Sequence, residues 1–295
     1  MSTMFFHFLL AYDYNLIPIK VSDNTHCFFG APEVMDERNN GNMVNSCFVD
    51  VGSSYLVIDS GPTYLYAAEA YSAMKKIKNQ KISYVVNTHI HDDHWLGNSY
   101  YDSLGVKIIG STEFETMDKE EKTRMQMRIS EAAFKGTTQV FPTIFVKDEK
   151  FLKLDGVTVH IKSINSKAHT NSDLLVYIPE FSTIFAGDLI FNDRLPSIRD
   201  GNVANWIEAL DAIRAMKMKY VIGGHGELVD ASSIDLTYSY LSELNTKVRA
   251  LLEDGEEIGD VVNMVVMPKY KDVNFYKDIH RQNVEIAYRM LEWGE

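Results

Sequence analysis

Short apolar runs alternate with amphipathic stretches along this chain, the rhythm of an α/β protein. Residues 25–30, 44–50 and 55–59 are rich in Val, Phe and Ile and read as consecutive strands. Between the first two lies 31–42, a polar stretch with Pro, Gly and Asn that reads as a loop. After Gly61-Pro62, positions Tyr64, Ala67, Ala68, Tyr71 and Met74 share one helical face, and 82–87 follows as a strand. Thr112 and Glu115 have capping-box spacing and predict a charged helix running towards Phe134. Further strands are expected at 151–154, 157–161, 174–178, 183–186 and 220–222. Trp206, Ala209, Leu210, Ile213 and Met216 keep helical spacing between the last two. From Ser232 the pattern is helical, with Phe275, Ile279, Ile286, Met290 and Trp293 on one stripe. No Gly/Ser/Pro-rich linker or short repeat divides the chain. The simplest division is an N-terminal segment 1–22, a domain 23–230, and helices 231–295 packed on that domain.

Composition narrows the class. With 295 residues, 45% hydrophobic and 24% charged, the chain can bury a sizeable core, which excludes a disordered chain or a disulfide-stapled mini-protein. The 29 Lys and Arg against 41 Asp and Glu leave a net charge of −12, which repels phosphate backbones and argues against a nucleic-acid partner. No run of eighteen apolar residues occurs, so no membrane span is expected. Residues 4–11 form a short apolar run of the kind found in export signals. No Lys or Arg precedes it and His7 interrupts it, so it gives a hint of an exported or periplasmic protein against the cytoplasmic alternative. Cys27 and Cys47 match no zinc-finger spacing; they could face each other across a hairpin, and two buried thiols is the simpler reading.

The chemistry concentrates in histidines. Three of the nine fall in Thr88-His89-Ile90-His91-Asp92-Asp93-His94, just past a predicted strand. Imidazole and carboxylate suit Zn²⁺ and its neighbours. On extended backbone His89 and His91 project to one side while Asp93 and His94 turn the other way, so one loop can begin two metal sites. His169, Asp188 and His225 each follow, or nearly follow, a predicted strand, although singly each reads equally well as a capping, loop or turn residue. Strand ends converge on one edge of a parallel-type sheet. Together the seven groups supply two three-ligand sets and a shared carboxylate, the count a dinuclear site needs while leaving room for a bridging water. His160, His280, His7 and His26 lack partners at ligand spacing and read as structural or surface residues. The charged run 118–128 reads as a solvated helix face. Trp95, Asn98, Asn192 and Arg194 flank the metal segments and are candidates for substrate contact, with a structural role as the alternative for each.

The ordered set His89, His91, Asp93, His94, His169, Asp188 and His225 resembles the metallo-β-lactamase superfamily, from about residue 25 to residue 226. That resemblance implies a four-layer αββα sandwich, here with a helical C-terminal extension. Val57-Ile58-Asp59-Ser60-Gly61 is similar to the family's strand ending in an Asp-Thr/Ser-Gly turn, which implies that Asp59 supports the metal loop from behind. The resemblance assigns a first metal to His89, His91 and His169. It assigns a second to Asp93, His94 and His225, with Asp188 bridging both. Residues 168–177 resemble the corresponding stretch of true metallo-β-lactamases. However, the most similar lactamase group carries Cys where Asp188 stands and lacks a metal-binding His at position 94. Asp188 with His94 instead matches the hydroxyacylglutathione hydrolase, lactonase and quinoprotein-relay pattern. Asp188-Leu189-Ile190-Phe191, then Arg194-Leu195-Pro196 and Trp206, resembles most the quinoprotein-relay, sulfur-oxidation-linked group.

The implied activity is that of a zinc-dependent hydrolase with two Zn²⁺ per chain, iron or manganese being the alternatives. A hydroxide bridging the metals, oriented by Asp93 and Asp188, would cleave a carbonyl–heteroatom bond in a small molecule: a thioester, a lactone or a β-lactam. The 31–42 loop, which hangs over the metals in related folds, would cover the substrate. Three rivals are weighed against this. A metal-dependent oxidoreductase on the same frame, as in flavodiiron oxygen reductases, would carry Glu where His91 stands and a flavodoxin domain with no counterpart in this sequence. A nucleic-acid hydrolase is opposed by the charge and by the lack of an inserted second domain. A non-catalytic binding module is opposed by the retention of all seven ligand-type residues.

Overall fold

The computed structural model describes residues 12–118 and 120–294, so the apolar run 4–11 and His7 lie outside the described residues. Two sheets form the centre. In the first, β1 (Ile19–Lys20), β2 (Thr25–Phe28), β3 (Ser46–Asp50) and β4 (Ser54–Ile58) are antiparallel neighbours. Parallel strands β5 (Lys81–Val86), β6 (Lys107–Ser111) and β7 (Ile144–Val146) extend it. In the second, β8 (Glu149–Leu154), β9 (Val157–Ile164), β10 (Asp173–Ile178) and β11 (Thr183–Phe191) form an antiparallel meander. The last strand, β12 (Tyr220–His225), pairs in parallel with β11.

Alternation along the strands sets the layers. In β4, Leu56 and Ile58 face the other sheet, while Tyr55 and Val57 face the helices α1 (Tyr64–Ile77) and α3 (Asn98–Ser103). In β11, Phe185 joins the inter-sheet core, while Ile184 and Ala186 face outward. That outer face is covered by α6 (Val203–Ala215), α7 (Asp235–Glu253) and α9 (Tyr276–Trp293), with α8 (Ile258–Met264) beside them. Trp206, Leu210, Tyr240, Leu244, Val248 and Val284 are fully buried there. Burying such side chains contributes on the order of 1.5–3 kcal/mol each, so the C-terminal helices are bound to the sandwich by a continuous apolar face. The architecture is the expected four-layer αββα sandwich with a helical C-terminal region. No helix among the described residues is long and apolar enough to cross a membrane.

Several local expectations are corrected. Strands β1, β6 and β7 were not anticipated; β1 and β7, with two and three residues, are too short for a periodic signal, and the apolar part of β6 is only Ile108-Ile109 before Gly110. The capping box at Thr112 opens only a 3₁₀ turn, Thr112–Thr116, because Glu113 turns inward to bind another loop. The charged helix is broken into α4 (Arg124–Arg128) and α5 (Glu131–Phe134), capped separately by Thr123 and Ser130. Helix α1 buries Tyr66, Ala67, Ala70 and Met74, a face rotated from the expected one. Helix α9 buries His280, Asn283, Val284, Ala287 and Tyr288, while Phe275 precedes it and Trp293 is 64% exposed. Cys27 and Cys47 are not free thiols: they lie opposite each other in the β2–β3 pair and are joined by a disulfide.

Candidate metal centre

The site grows from the ends of the strands. Beyond β5 the chain bends at His89 and Ile90, is extended at His91 and then enters one helical turn, α2 (Asp92–Trp95). That change of backbone separates His89 and His91 from Asp93 and His94. Asp59, just past β4, adopts a left-handed conformation (φ 54°), which Asp tolerates better than most residues. Its carboxylate accepts hydrogen bonds from the Thr88 amide and hydroxyl, both at 2.8 Å, and lies 2.8 Å from His94 Nδ1. The loop is therefore held from behind by Asp59.

The remaining groups arrive from the second sheet. The backbone N–H groups of His169 and Thr170 both donate to Asp173 Oδ2, which folds the loop entering β10. Glu113 accepts from Asn171 and Ser172 in the same loop. Asp188 sits within the fully buried strand β11. Glycine is required on either side of its carboxylate. A Cβ on Gly224 would lie 2.0 Å from Asp188 Oδ1, and one on Gly187 (φ 51°) would lie 2.5 Å from Thr88 Oγ1. His225 ends β12, stacks on Phe191, and points its Nδ1 at the Met43 carbonyl.

Two clusters of donor atoms result. His91 Nδ1 lies 3.1 Å from His89 Nε2 and 3.0 Å from His169 Nε2, and Asp188 Oδ2 lies 3.7 and 3.4 Å from the same two imidazoles. On the other side Asp188 Oδ1 lies 3.1 Å from His94 Nε2 and 3.2 Å from His225 Nε2, with Asp93 Oδ2 3.9 Å from each imidazole. Ligands about 2.0–2.1 Å from a tetrahedral ion stand about 3.3 Å apart, so both sets are spaced to hold a metal ion. His94 Nε2 and Asp188 Oδ1 are buried and face each other at 3.1 Å, so an imidazole and a carboxylate converge there out of reach of water.

Electrostatics prepares the same state. Burial pushes His89 well below the ordinary histidine range, and burial also lowers His91 and His225. Burial opposes charge on Asp188, but His225, His94 and His89 outweigh it and hold the carboxyl well below its usual range. Asp93 is likewise held low, with His94, Arg124 and His225 overcoming burial. His94 is the exception: Asp188, Asp59 and Asp93 outweigh burial and hold it well above the ordinary value. Neutral imidazoles and ionised carboxylates are the ligand-competent forms, and His94 is the imidazole whose acidic neighbours oppose its neutral form.

Sequence reasoning missed several supports. Arg124, placed by that reasoning on a solvated helix face, bonds Asp92 Oδ1 through Nη2 at 2.6 Å and reaches Asp93 Oδ1 at 3.1 Å. Asp92 also accepts from the Met125 N–H. Asp200 lies 3.0 Å from His91 Nε2, and Asn45 donates to the Gly223 and Gly226 carbonyls beside His225. The only sequence signal for the first of these was the second acid in Asp92-Asp93. Of the candidates for substrate contact, Trp95 and Asn98 are fully buried. Trp95 donates to the Ile90 carbonyl, and Asn98 bonds Ser60, Asn87 and the Val140 carbonyl. Asn192 both accepts from the Leu228 N–H and donates to its carbonyl, closing the turn after β12. Arg194 lines one open cleft beside the site, and the Trp95 ring backs another that includes His91. His26, His160 and His280 are remote from the clusters: His160 stacks on Phe151, and His280 contacts Tyr240 and the Val265 carbonyl.

Fold and site together define a two-sheet sandwich with a His/Asp cluster at one edge that could hold metal ions. Residues 39–225 match the profile of the metallo-β-lactamase superfamily, more than half of the chain. The chain belongs to the metallo-β-lactamase superfamily, whose members are typically metal-dependent hydrolases, and this supports its being an enzyme. It is similar to the beta-lactamase-like protein 2 homolog of Caenorhabditis elegans, 24% identical over 75% of this chain and 70% of that protein. It is also similar to the metallo-beta-lactamase type 2 of Elizabethkingia meningoseptica, 24% identical over 70% of this chain and 78% of that protein. Among solved structures, a metallo-beta-lactamase from Pontibacter korlensis superposes with a TM-score of 0.60 at 20% identity, covering 77% of this chain and 99% of its own. The DIM-1 metallo-beta-lactamase superposes with a TM-score of 0.60 at 17% identity, covering 77% and 96%. These likenesses carry the fold.

Proposed function

We propose that the protein is a dinuclear zinc hydrolase that opens a carbonyl–heteroatom bond in a small molecule, a thioester, a lactone or a β-lactam. The observation that carries this reading is the pair of adjoining donor clusters that share one carboxylate. His89, His91 and His169 would hold one ion and Asp93, His94 and His225 the other, with Asp188 offering one oxygen to each. Nitrogen and oxygen donors in fours suit zinc. Ions so placed would supply hydroxide at neutral pH and polarise the carbonyl under attack.

The rest is done by the chain's own groups. Asp59 and Asp200 fix the ring orientations of His94 and His91, as carboxylates behind ligating histidines commonly do. Arg124 holds the outer oxygen of Asp93, leaving Oδ2 directed into the site. The loop from Ala31 to Asn42 closes on itself through the Ala31 amide and the Asn42 carbonyl and brings Met35 to the rim of the cleft. We infer that this loop covers the bound substrate.

A hydrolysis screen over thioesters, lactones and cephalosporins, on protein of measured metal content, tests the reading. Turnover of one class, lost on chelation and restored by zinc, is the expected result. Turnover that survives complete metal removal, or none of the three classes hydrolysed by fully loaded protein, would overturn it.

A further inference from the structure

Cys27 and Cys47 are joined across the β2–β3 pair, 20 residues apart in sequence, and both are buried in the core between the sheets. The ring they close contains the whole 31–42 loop. Where the chain leaves that loop, residues 43–47 form a strap over the supports of the metal centre. Ser46 Oγ donates to the Asp59 carbonyl at 2.6 Å. The Asn45 amide donates to the Gly224 carbonyl at 2.8 Å, and its side chain donates to the carbonyls of Gly223 and Gly226. The Met43 carbonyl accepts from His225 Nδ1. A carbonyl only accepts, so Nδ1 carries the proton, and Nε2, 3.2 Å from Asp188 Oδ1, keeps the lone pair that a metal needs.

These bonds serve one side of the centre. They go to His225 and its turn, and to Asp59, whose carboxylate lies against His94 Nδ1. None of them goes to His91 or His169. The end of β2 touches the same strap: a Cβ on Gly30 would lie 2.1 Å from the Met43 carbonyl carbon. Separation of β2 from β3 therefore unseats residues 43–46 as well. A crosslink between strands that are already paired acts mainly on the opened states, by denying the strands separation. Without it, local opening of the pair becomes easier and carries the strap with it.

We propose that the Cys27–Cys47 pair is a redox latch on the metal centre. As a disulfide it keeps the strap seated and both ions held. A dithiol reductant gives the S–S bond two electrons and two protons, leaves two thiols, and becomes a disulfide itself. The strands then part more readily, the Asn45 and Met43 bonds open, and the ion among Asp93, His94 and His225 is released first. Because both sulfurs are buried, a reductant reaches them only when the strands part. A bound ion that resists the parting protects the disulfide in return, since coupling between two sites is reciprocal. The latch rests on the two-ion reading of the site, but the opening of the strap is measured without any metal.

The test compares the oxidised full chain, the same chain reduced by a water-soluble phosphine (which leaves as its oxide, with oxygen from water), and Cys27→Ala/Cys47→Ala. Zinc affinities are read by competition with a chromophoric chelator, and amide exchange is followed by mass spectrometry with and without zinc. Reduction or substitution is expected to weaken the more weakly held ion about 10- to 100-fold, the range for groups that orient ligands, and to leave the other ion at its parental affinity. Amides of 43–47 and 222–228 should exchange faster and those of α7 should not. In Asn45→Ala, where the strap is already released, reduction should add little, and in the parent two bound zinc ions should slow reduction. If the double variant fails to fold, the reduced parent carries the same comparison. Zinc affinities unmoved by reduction, loosening that extends equally to α7, or fully additive effects of reduction and Asn45→Ala would overturn the proposal. If the oxidised parent holds a single ion, the two-ion reading falls. Faster exchange confined to 43–47 and 222–228 on reduction would then still uphold the latch, and unchanged exchange there would overturn it.

Discussion

Gly224→Ala isolates the shared carboxylate with a single methyl group. The added Cβ would sit 2.0 Å from Asp188 Oδ1, and 2.9 and 3.0 Å from backbone atoms of Gly187 and Asp188. The backbone neighbours can accommodate a few tenths of an ångström, but the carboxylate oxygen must retreat by about 1 Å or more to reach ordinary contact. Metal–ligand bonds tolerate only about 0.2 Å, so Oδ1 would no longer meet the same ion as His94 and His225. A displacement of about 1 Å near the chemistry can cost about 100-fold in rate. The variant should therefore lose about 100-fold in kcat, and elemental analysis should fall from two ions per chain towards one. Gly259→Ala in α8, where nothing lies within 4 Å of the added methyl, serves as the control and should match the parent. Far-UV circular dichroism should show both variants folded. Two tightly held ions and parental turnover in Gly224→Ala would refute the geometry drawn here for Asp188.

Three further outcomes are expected. Asp188→Asn keeps the shape but removes the charge between the ions, so the second ion should bind more weakly and kcat should fall beyond the ~10–100-fold typical of residues that only orient ligands; metal content and kcat measured together check this. Arg124→Gln leaves the buried carboxylates of Asp92 and Asp93 without their cation, so zinc titration should show weakened binding at the His94 side with the His89 side intact, and Arg124→Lys should recover part of the loss. Removing residues 33–37 from the loop tip should change KM or substrate preference at constant metal content. Replacing Asn45 by Ala should instead lower metal content, because Asn45 anchors the turn that carries His225.

The ligand set was legible because its signal is local in sequence or tied to strand ends. His89, His91, Asp93 and His94 fall within eight residues of the end of β5, His169 lies just before β10, Asp188 lies within β11 and His225 ends β12. What was not legible depends on distance along the chain. Arg124 lies 31 residues from Asp93, and Asp200 lies 109 from His91, so neither pairing leaves a periodic or spacing signature. Glu113 looked like a helix opener and is in fact spent on the His169 loop. The apolar stripes of α1 and α9 were placed a partial turn from the faces actually buried, since Tyr64, Tyr71 and Trp293 are apolar in composition yet amphipathic enough to lie at the rim. Cys27 and Cys47 were placed on the right strands, but their register, and hence their bond, followed only from the pairing of β2 with β3.

Anomalous scattering at the zinc edge, from crystals of protein purified without chelator, addresses the two-ion claim most directly. Two peaks are predicted in each chain, one among His89, His91 and His169 and the other among Asp93, His94 and His225, with the Asp188 carboxylate between them. A single peak, or peaks away from Asp188, in crystals of fully active protein would contradict it.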